Sequence, residues 1–276
     1  QLYKTSAIAI KNAFPNLKVG GPAFGSYIQI SRDAFKPVLF AAAFLEMCQK
    51  EAVPLDFFSW HCYTDNPAEL SIRAKFVRQL LNSHGFEKTE SHLNEWNLLP
   101  GNTWNEGNTP EEKDQYFAYM SGTAGAAFLS TALCELQEDP VNVSNIFHAE
   151  LGNMGFFSMN GTPCQNYYGM LVFRHVLDLG NRVQTTGAIS GKVGLLASIN
   201  RNETEAVLLI SNYRGNSEFH IQTSGLPANA DREILMVNDT RKLEPTKTIQ
   251  PIGGPQSFNL TLKAPAVALV LFHYRK

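Results

Sequence analysis

Apolar positions follow two rhythms along this chain, and through residues 1–185 the rhythms alternate. "LYKTSAIAIKNAF" has helical spacing, and Pro15 is its stop. "LKVGGPAF" (17–24) is a short strand that runs into glycines. "RDAFKPVLFAAAFLEMCQKEA" (32–52) returns to helical spacing, and Pro37 predicts that its regular part starts there. "LDFFSWHCY" (55–63) is a strand. Pro67 opens a helix that runs to about Ser83, with Gly85 as its C-terminal stop.

"KTESHLNEW" is the third strand of the series. "TPEE" (109–112) places Thr109 at a cap, Pro110 at the first helical position and Glu112 where a capping box needs an acid. That helix is expected to reach Glu138. "SNIFHAEL" (144–151) is the fourth strand, and "TPCQ" (162–165) repeats the capping logic before a last helix ending near Gly180. Beyond Arg182 no helical spacing remains. "KVGLLASIN", "EAVLLISNY", "EFHIQTSG", "REILMVND", "FNLTLKA" and "AVALVLFHY" are short apolar or alternating runs between Gly, Asn, Pro and Ser turns. That is the signature of an antiparallel β-sandwich.

Strand–helix alternation with short connections favours a parallel sheet, either doubly wound or part of a (β/α)8 barrel. No G-x-G-x-x-G or G-x-x-x-x-G-K-[ST] follows a strand, so nothing points to nucleotide binding. Polar and aromatic residues gather at strand C-termini: Trp60, His61 and Tyr63; Asn94 to Asn97; His148 and Glu150. Barrel active sites occupy that rim, but only four of eight strand–helix units are visible. The expected fold is α/β, the C-terminal half of a (β/α)8 barrel in residues 1–182 and a β-sandwich in 183–276.

Composition narrows the class. The chain has 276 residues, 44% of them hydrophobic, with 23 Lys+Arg against 25 Asp+Glu. No basic run favours nucleic acid as a partner. No apolar stretch approaches the roughly 20 residues that cross a bilayer; "APAVALVLF" (264–272) is strand-sized. Cys48, Cys62, Cys134 and Cys164 show no metal spacing and are expected to be free thiols. Sequons at Asn142, Asn160, Asn202, Asn238 and Asn259 lean toward a secreted or extracytoplasmic protein. The opening "QLYKTSAIAI" reads as the middle of a helix, which suggests further chain upstream.

Glu95, in "ESHLNEWN", is the strongest chemical candidate. Strand alternation puts it on the face of Leu93, opposite Asn94 and Trp96, until the strand ends. His61 and Tyr63 share a face of the preceding strand, with Cys62 toward the helices. Neighbouring strands lie about 4.8 Å apart, so the Tyr63 hydroxyl can reach Glu95. A carboxylate oriented by a phenol and an imidazole, with its ionised form favoured, suits a nucleophile. Glycoside hydrolysis usually uses two carboxyl groups, and aromatic rings stack on sugars. Trp60, Trp96 and Trp104 are all the tryptophans of the chain. A zinc site from His61, Glu95 and His148 lacks close-spaced ligands. Gly20, Gly21 and Pro22 are expected to shape a turn, Glu111 and Glu112 to serve a helix N-terminus, and Glu135, Glu138 and Asp139 to lie on a solvated helix face.

"LYKTSAIAIKNAFPNLKVGGPAF", "LDFFSWHCYT" and "HLNEWN", in that order and spacing, resemble glycoside hydrolase family 39. This retaining family of (β/α)8 barrels includes β-xylosidases and α-L-iduronidases. The resemblance implies that K-V-G-G-P belongs to the fifth barrel strand, S-W-H-C-Y to the sixth and N-E-W-N to the seventh. Glu95 would then be the nucleophile, and residues 185–276 the accessory sandwich. It further implies a carbohydrate substrate contacted by His61, Tyr63, Trp60, Trp96, Asn97, Trp104, His148 and Glu150, with no metal and no cofactor. The N-E-P strand that carries the acid/base has no counterpart here. That carboxylate, and the N-terminal half of the barrel, are expected upstream or on a second chain. The eighth-strand region, "IFHAELGNMGFF", departs from the family pattern, with Phe147, His148 and Glu150 standing in for its Trp and acidic residues. The rival expectation is a non-catalytic carbohydrate-binding or structural protein whose open barrel is completed by a dimer or partner.

Overall fold

The computed structural model describes residues 1–25, 28–31, 34–226, 230–249 and 257–274. They form two compact units.

The first unit comprises residues 1–63, 69–97 and 138–147. Its elements are α1 (Leu2–Ala13), β1 (Gly20–Phe24), β2 (Ile28–Ser31), β3 (Ala34–Pro37), α2 (Leu39–Lys50), β4 (Phe57–Thr64), α3 (Pro67–Ser83), β5 (Glu90–Leu98) and, further along the chain, β6 (Val143–Ile146). The sheet order is β1-β4-β5-β6, with parallel pairing of β1 to β4 and of β5 to β6. Each strand follows the last through one or more helices, the arrangement that alternating patterns predict. In α3, Leu70, Ala74, Val77 and Leu81 are all buried, a spacing of four, three and four that forms one helical stripe. Gly85 ends that helix with φ of 79°, and Phe86 donates its N–H back to the Leu81 carbonyl. Gly20 has a packing reason: a Cβ there would lie 2.1 Å from the Phe57 carbonyl oxygen. The pair Gly20–Gly21 therefore sits inside β1, where it lets β1 close on β4, rather than in a turn beyond it.

Two details depart from the sequence reading. The helix expected from residue 32 begins only at Leu39; Ala34–Pro37 pairs with Ile28–Ser31 as an antiparallel hairpin, and residues 32 and 33 lie outside the described residues. Pro37 closes the strand instead of opening the helix, because its ring fixes φ without supplying an N–H. Asp139 does not lie on a solvated face. Its side chain is 1% exposed, accepts from Ser71 Oγ at 2.9 Å and pairs with Lys75 at 3.4 Å.

The second unit comprises residues 64–68, 98–137 and 148–276. It opens with a 3₁₀ turn (Pro100–Asn102), α4 (Pro110–Ser121), α5 (Thr123–Leu136) and α6 (Gln165–Leu179). The strands β7 (Asn181–Val183), β8 (Val193–Ile199), β9 (Glu205–Asn212), β10 (Glu218–Gln222), β11 (Asp231–Asn238), β12 (Arg241–Ile249), β13 (Ser257–Thr261) and β14 (Ala266–His273) follow. A six-stranded antiparallel sheet, β12-β11-β14-β9-β8-β7, faces a two-stranded sheet, β10-β13. The unbroken apolar run of β14 is explained by burial on both faces. Ala266, Ala268, Val270 and Phe272 join Ile210, Ile234, Leu260 and Leu262 in the sandwich core. Val267 and Leu269 are also fully buried, and the other layer on this sheet is α5. Almost every residue of α5 is buried, as its all-round apolar sequence requires.

The capping box at Thr109 is present: its hydroxyl accepts from the Glu112 N–H, and Glu112 accepts from the Thr109 N–H. The single helix expected through Glu138 is two helices, broken at Gly122, whose ψ of −159° is extended. The helix after "TPCQ" caps at Cys164 without a side-chain hydrogen bond, because Thr162 falls one turn short of its start. Glu135 is also engaged, accepting from the Gly191 N–H at 2.6 Å. The sequence reading missed β7, three residues long, and β12, whose "RKLEPTKTI" has no apolar run. All four cysteines are free, three buried and Cys164 partly so.

Candidate active site

Glu95 is placed by an irregularity in β5. Leu93 pairs with Ser144 of β6, but Trp96, three residues on, pairs with Ile146, only two residues on. Asn94 and Glu95 therefore face a single residue across the ladder, which is a β-bulge. Alternation resets at that point. Leu93 and Trp96 are both buried, at 0% and 1% exposure, while Asn94 and Glu95 between them are partly exposed. Regular alternation would have put Glu95 with Leu93; the bulge puts it beside Asn94.

β4, the neighbouring strand, alternates regularly here. Trp60, Cys62 and Thr64 are buried, while His61 and Tyr63 are partly exposed. The Tyr63 hydroxyl donates to Glu95 Oε2 at 2.9 Å. His61 Nδ1 lies 3.3 Å from the same oxygen. Glu95 Oε1 has no partner among the described residues, and 34% of the side chain is exposed. Burial, with the hydrogen bond to Glu95 and its charge, pushes the Tyr63 phenol well above its usual range. Tyr63 is thus a fixed donor, and one carboxylate oxygen is oriented while the other is open to solvent.

The end of β6 supports this group. Phe147 donates its N–H to the Trp96 carbonyl at 3.0 Å, and its own carbonyl accepts from Asn97 Nδ2 at 2.5 Å. Its ring meets the Tyr63 ring edge-on, with centroids 6.3 Å apart.

Other expected contact residues are placed differently. Trp60 is fully buried and donates from Nε1 to Ser91 Oγ at 2.9 Å. Trp96 is buried on the Leu93 side of β5. Neither indole face is open to a sugar, because both rings complete the packing on the side away from Glu95. Asn97, 4% exposed, is a tether between strand ends. His148 and Glu150 follow β6 rather than lying in it and belong to the second compact unit, where His148 Nδ1 accepts from the Glu150 N–H at 3.2 Å. Trp104, also in that unit, is 59% exposed. Asn94, beside Glu95, is partly exposed, and its buried Oδ1 has no hydrogen-bond partner among the described residues.

A parallel β/α sheet bearing a carboxylate, a phenol and an imidazole toward the C-terminal ends of adjacent strands, in a chain that continues into a β-sandwich, defines a partial (β/α)8-barrel protein of the glycosidase type. Known proteins agree. The sequence pattern of "Glycosyl hydrolases family 39" matches residues 1–256. The chain belongs to that family. It is 27% identical over 240 residues to a β-xylosidase of Caldicellulosiruptor saccharolyticus, covering 77% of this chain and 43% of that protein. Its fold is similar to that of a glucosidase from Croceicoccus marinus, with a TM-score of 0.79 and 20% identity, over 100% of this chain and 64% of the other. A monomeric β-xylosidase from Caulobacter crescentus CB15 gives a TM-score of 0.75 at 15% identity, over 100% of this chain and 65% of the other. The chain thus spans less than half of the first of these relatives and about two thirds of the two solved structures.

Proposed function

We propose that this chain carries the nucleophile side of a retaining glycosidase that acts on β-xylosides, with Glu95 as the attacking group. Glu95 Oε1 forms a bond to the anomeric carbon of the sugar. The glycosidic bond breaks, and its oxygen leaves with a proton from a second carboxylic acid, supplied from outside these 276 residues. The resulting conjugate base takes a proton from water, whose oxygen displaces Glu95 and releases the sugar with its original anomeric configuration. Tyr63 and His61 orient Oε2, so Oε1 is presented for attack. The observation that carries this reading is the convergence of Tyr63 and His61 on a single oxygen of a partly exposed carboxylate. The choice of xylosides is supported by the named β-xylosidase relatives.

The test is Glu95→Gln in the full-length protein that contains this chain. Turnover of an aryl β-xyloside is expected to be abolished with the fold intact, and Glu95→Gly with added azide is expected to yield the α-xylosyl azide. Wild-type turnover by Glu95→Gln rejects the assignment.

A further inference from the structure

The chain leaves β4 through Thr64 and Asp65, directly after Tyr63, and leaves β5 through Leu98 and residues 99–102, a few positions after Glu95. These two exits are bound to each other. Leu99 donates its N–H to the Thr64 carbonyl at 2.9 Å. Asn102 Oδ1 accepts from the Asp65 N–H at 2.8 Å and from Thr64 Oγ1 at 3.1 Å, and Asn102 Nδ2 donates to Asp65 Oδ1 at 3.0 Å. One asparagine side chain thus commits both ends of its amide to the two residues that follow Tyr63. Asp65 is held from a second direction as well: its carbonyl accepts from the Tyr213 hydroxyl at 3.0 Å, and its Oδ2 accepts from Arg214 at 3.3 Å. The turn itself does not call for this amide. Asn102 has φ of 55°, a left-handed conformation that glycine adopts without steric strain. What asparagine adds at this position is the three hydrogen bonds.

We infer that Asn102 is a positioning residue for the Tyr63–Glu95 hydrogen bond, tying the exit of β4 to the exit of β5 so that the phenol stays within reach of the carboxylate. The inference rests on the proposed glycosidase reading and extends it to a residue whose side-chain hydrogen bonds go to neither Tyr63 nor Glu95. The Tyr63 hydroxyl stands at the far end of a rigid ring, so a tilt of the backbone at residues 63–65 displaces it from Glu95 Oε2. β5 is bulged at Asn94–Glu95, so its pairing with β6 is irregular where the acid is held, and side-chain bonds beyond the strand ends supply fixed geometry there. A misplacement of about 1 Å, caused by a change remote from the chemistry, can cost on the order of 100-fold in rate.

The experiment is a double-mutant cycle in the full-length protein, read on an aryl β-xyloside. Asn102→Gly keeps the left-handed turn and removes all three side-chain bonds. It is expected to lower kcat about 10-fold in the otherwise wild-type protein, with KM changed less than about threefold. In Tyr63→Phe, where no hydroxyl is left to misplace, it is expected to lower kcat less than about twofold. Should Asn102→Gly fail to fold, Thr64→Val carries the same cycle: it removes one of the three bonds, together with the acceptor of the Asn66 N–H, and its loss is expected to be smaller but equally dependent on Tyr63. A loss of the same factor with and without the Tyr63 hydroxyl marks a merely structural role and overturns the inference, and so does wild-type kcat in Asn102→Gly. Glu95→Gln, assayed alongside, separates the two claims. If Glu95→Gln is inactive and the losses of Asn102→Gly and Tyr63→Phe multiply independently, only the Asn102 role falls. If Glu95→Gln keeps full turnover, the glycosidase reading falls and takes this role with it.

Discussion

The Tyr63 hydroxyl donates to Glu95 Oε2 across adjacent strands, at 2.9 Å. Two features of the backbone make the contact: regular alternation in β4, which turns Tyr63 to the same side as His61, and a bulge in β5, which turns Glu95 to meet it. The bond is charge-assisted and partly shielded, and such bonds are stronger than neutral ones.

Removing the Tyr63 hydroxyl is therefore expected to weaken catalysis without unfolding the protein. In Tyr63→Phe of the full-length protein, kcat/KM on an aryl β-xyloside should fall roughly 10- to 100-fold, the equivalent of about 1.5–3 kcal/mol for a hydrogen bond to a charged group. The phenol is raised above its usual range, by burial first and then by Glu95. Its contribution should be present up to about pH 10, the ordinary tyrosine value, and be lost only as pH climbs through the higher folded value. A pH–rate profile of the wild type whose alkaline limb below pH 9 disappears in Tyr63→Phe contradicts this placement.

Asp56 ties α1 to β1: it accepts from the Val19 N–H at 2.8 Å and pairs with Lys11 at 2.8 Å. Burial alone would raise its carboxyl, but the bonds from Lys11 and Val19 outweigh that and bring it below the usual carboxylate range. A lowered folded value stabilises at neutral pH, and that stability is lost as pH falls through the folded value. Asp56→Asn should melt below the wild type at pH 7, and the gap should narrow as the pH is lowered to 3. A gap that is constant across that range sinks the account.

Thiol reactivity should separate the cysteines. Burial pushes Cys48 up to about 11 and Cys62 up to about 12, and raises the fully buried Cys134 further. Thiolate is the reactive form. Alkylation of the native protein at pH 8, read by peptide mass mapping, should therefore label Cys164 well before the other three. Comparable labelling of Cys62 would mean that β4 is more accessible than described.

Gly20 tests the closeness of β1 to β4. A methyl group there would overlap the Phe57 carbonyl. Overpacking of this kind typically costs about 1–3 kcal/mol, and more where the obstacle is backbone. Gly20→Ala should lower the melting temperature strongly or prevent soluble expression, whereas Ala substitution at Gly161, where no atom lies within 4 Å, should disturb packing far less. A Gly20→Ala variant as stable as the wild type refutes the close approach.

Much of the architecture was legible because periodicity reports burial. The stripe of α3, the two-sided burial of β14 and the capping box at Thr109 are local consequences of residue order, and so they could be read from it. The hairpin before α2, the break at Gly122 and the strand β12 were not legible. Each depends on partners distant in sequence or on backbone geometry with no compositional mark.

The candidate site divides in the same way. Sequence by itself determined that an acid, a phenol and an imidazole lie toward the ends of neighbouring strands, because side-chain alternation and strand spacing are fixed by covalent geometry. Only the tertiary structure decided which way the acid points. The bulge at Asn94–Glu95 exists through pairing with β6, and it turns Glu95 to the side of Asn94 while sending Trp96 into the packing. Residue order cannot announce such a shift, since the extra residue is defined only against the strand beside it.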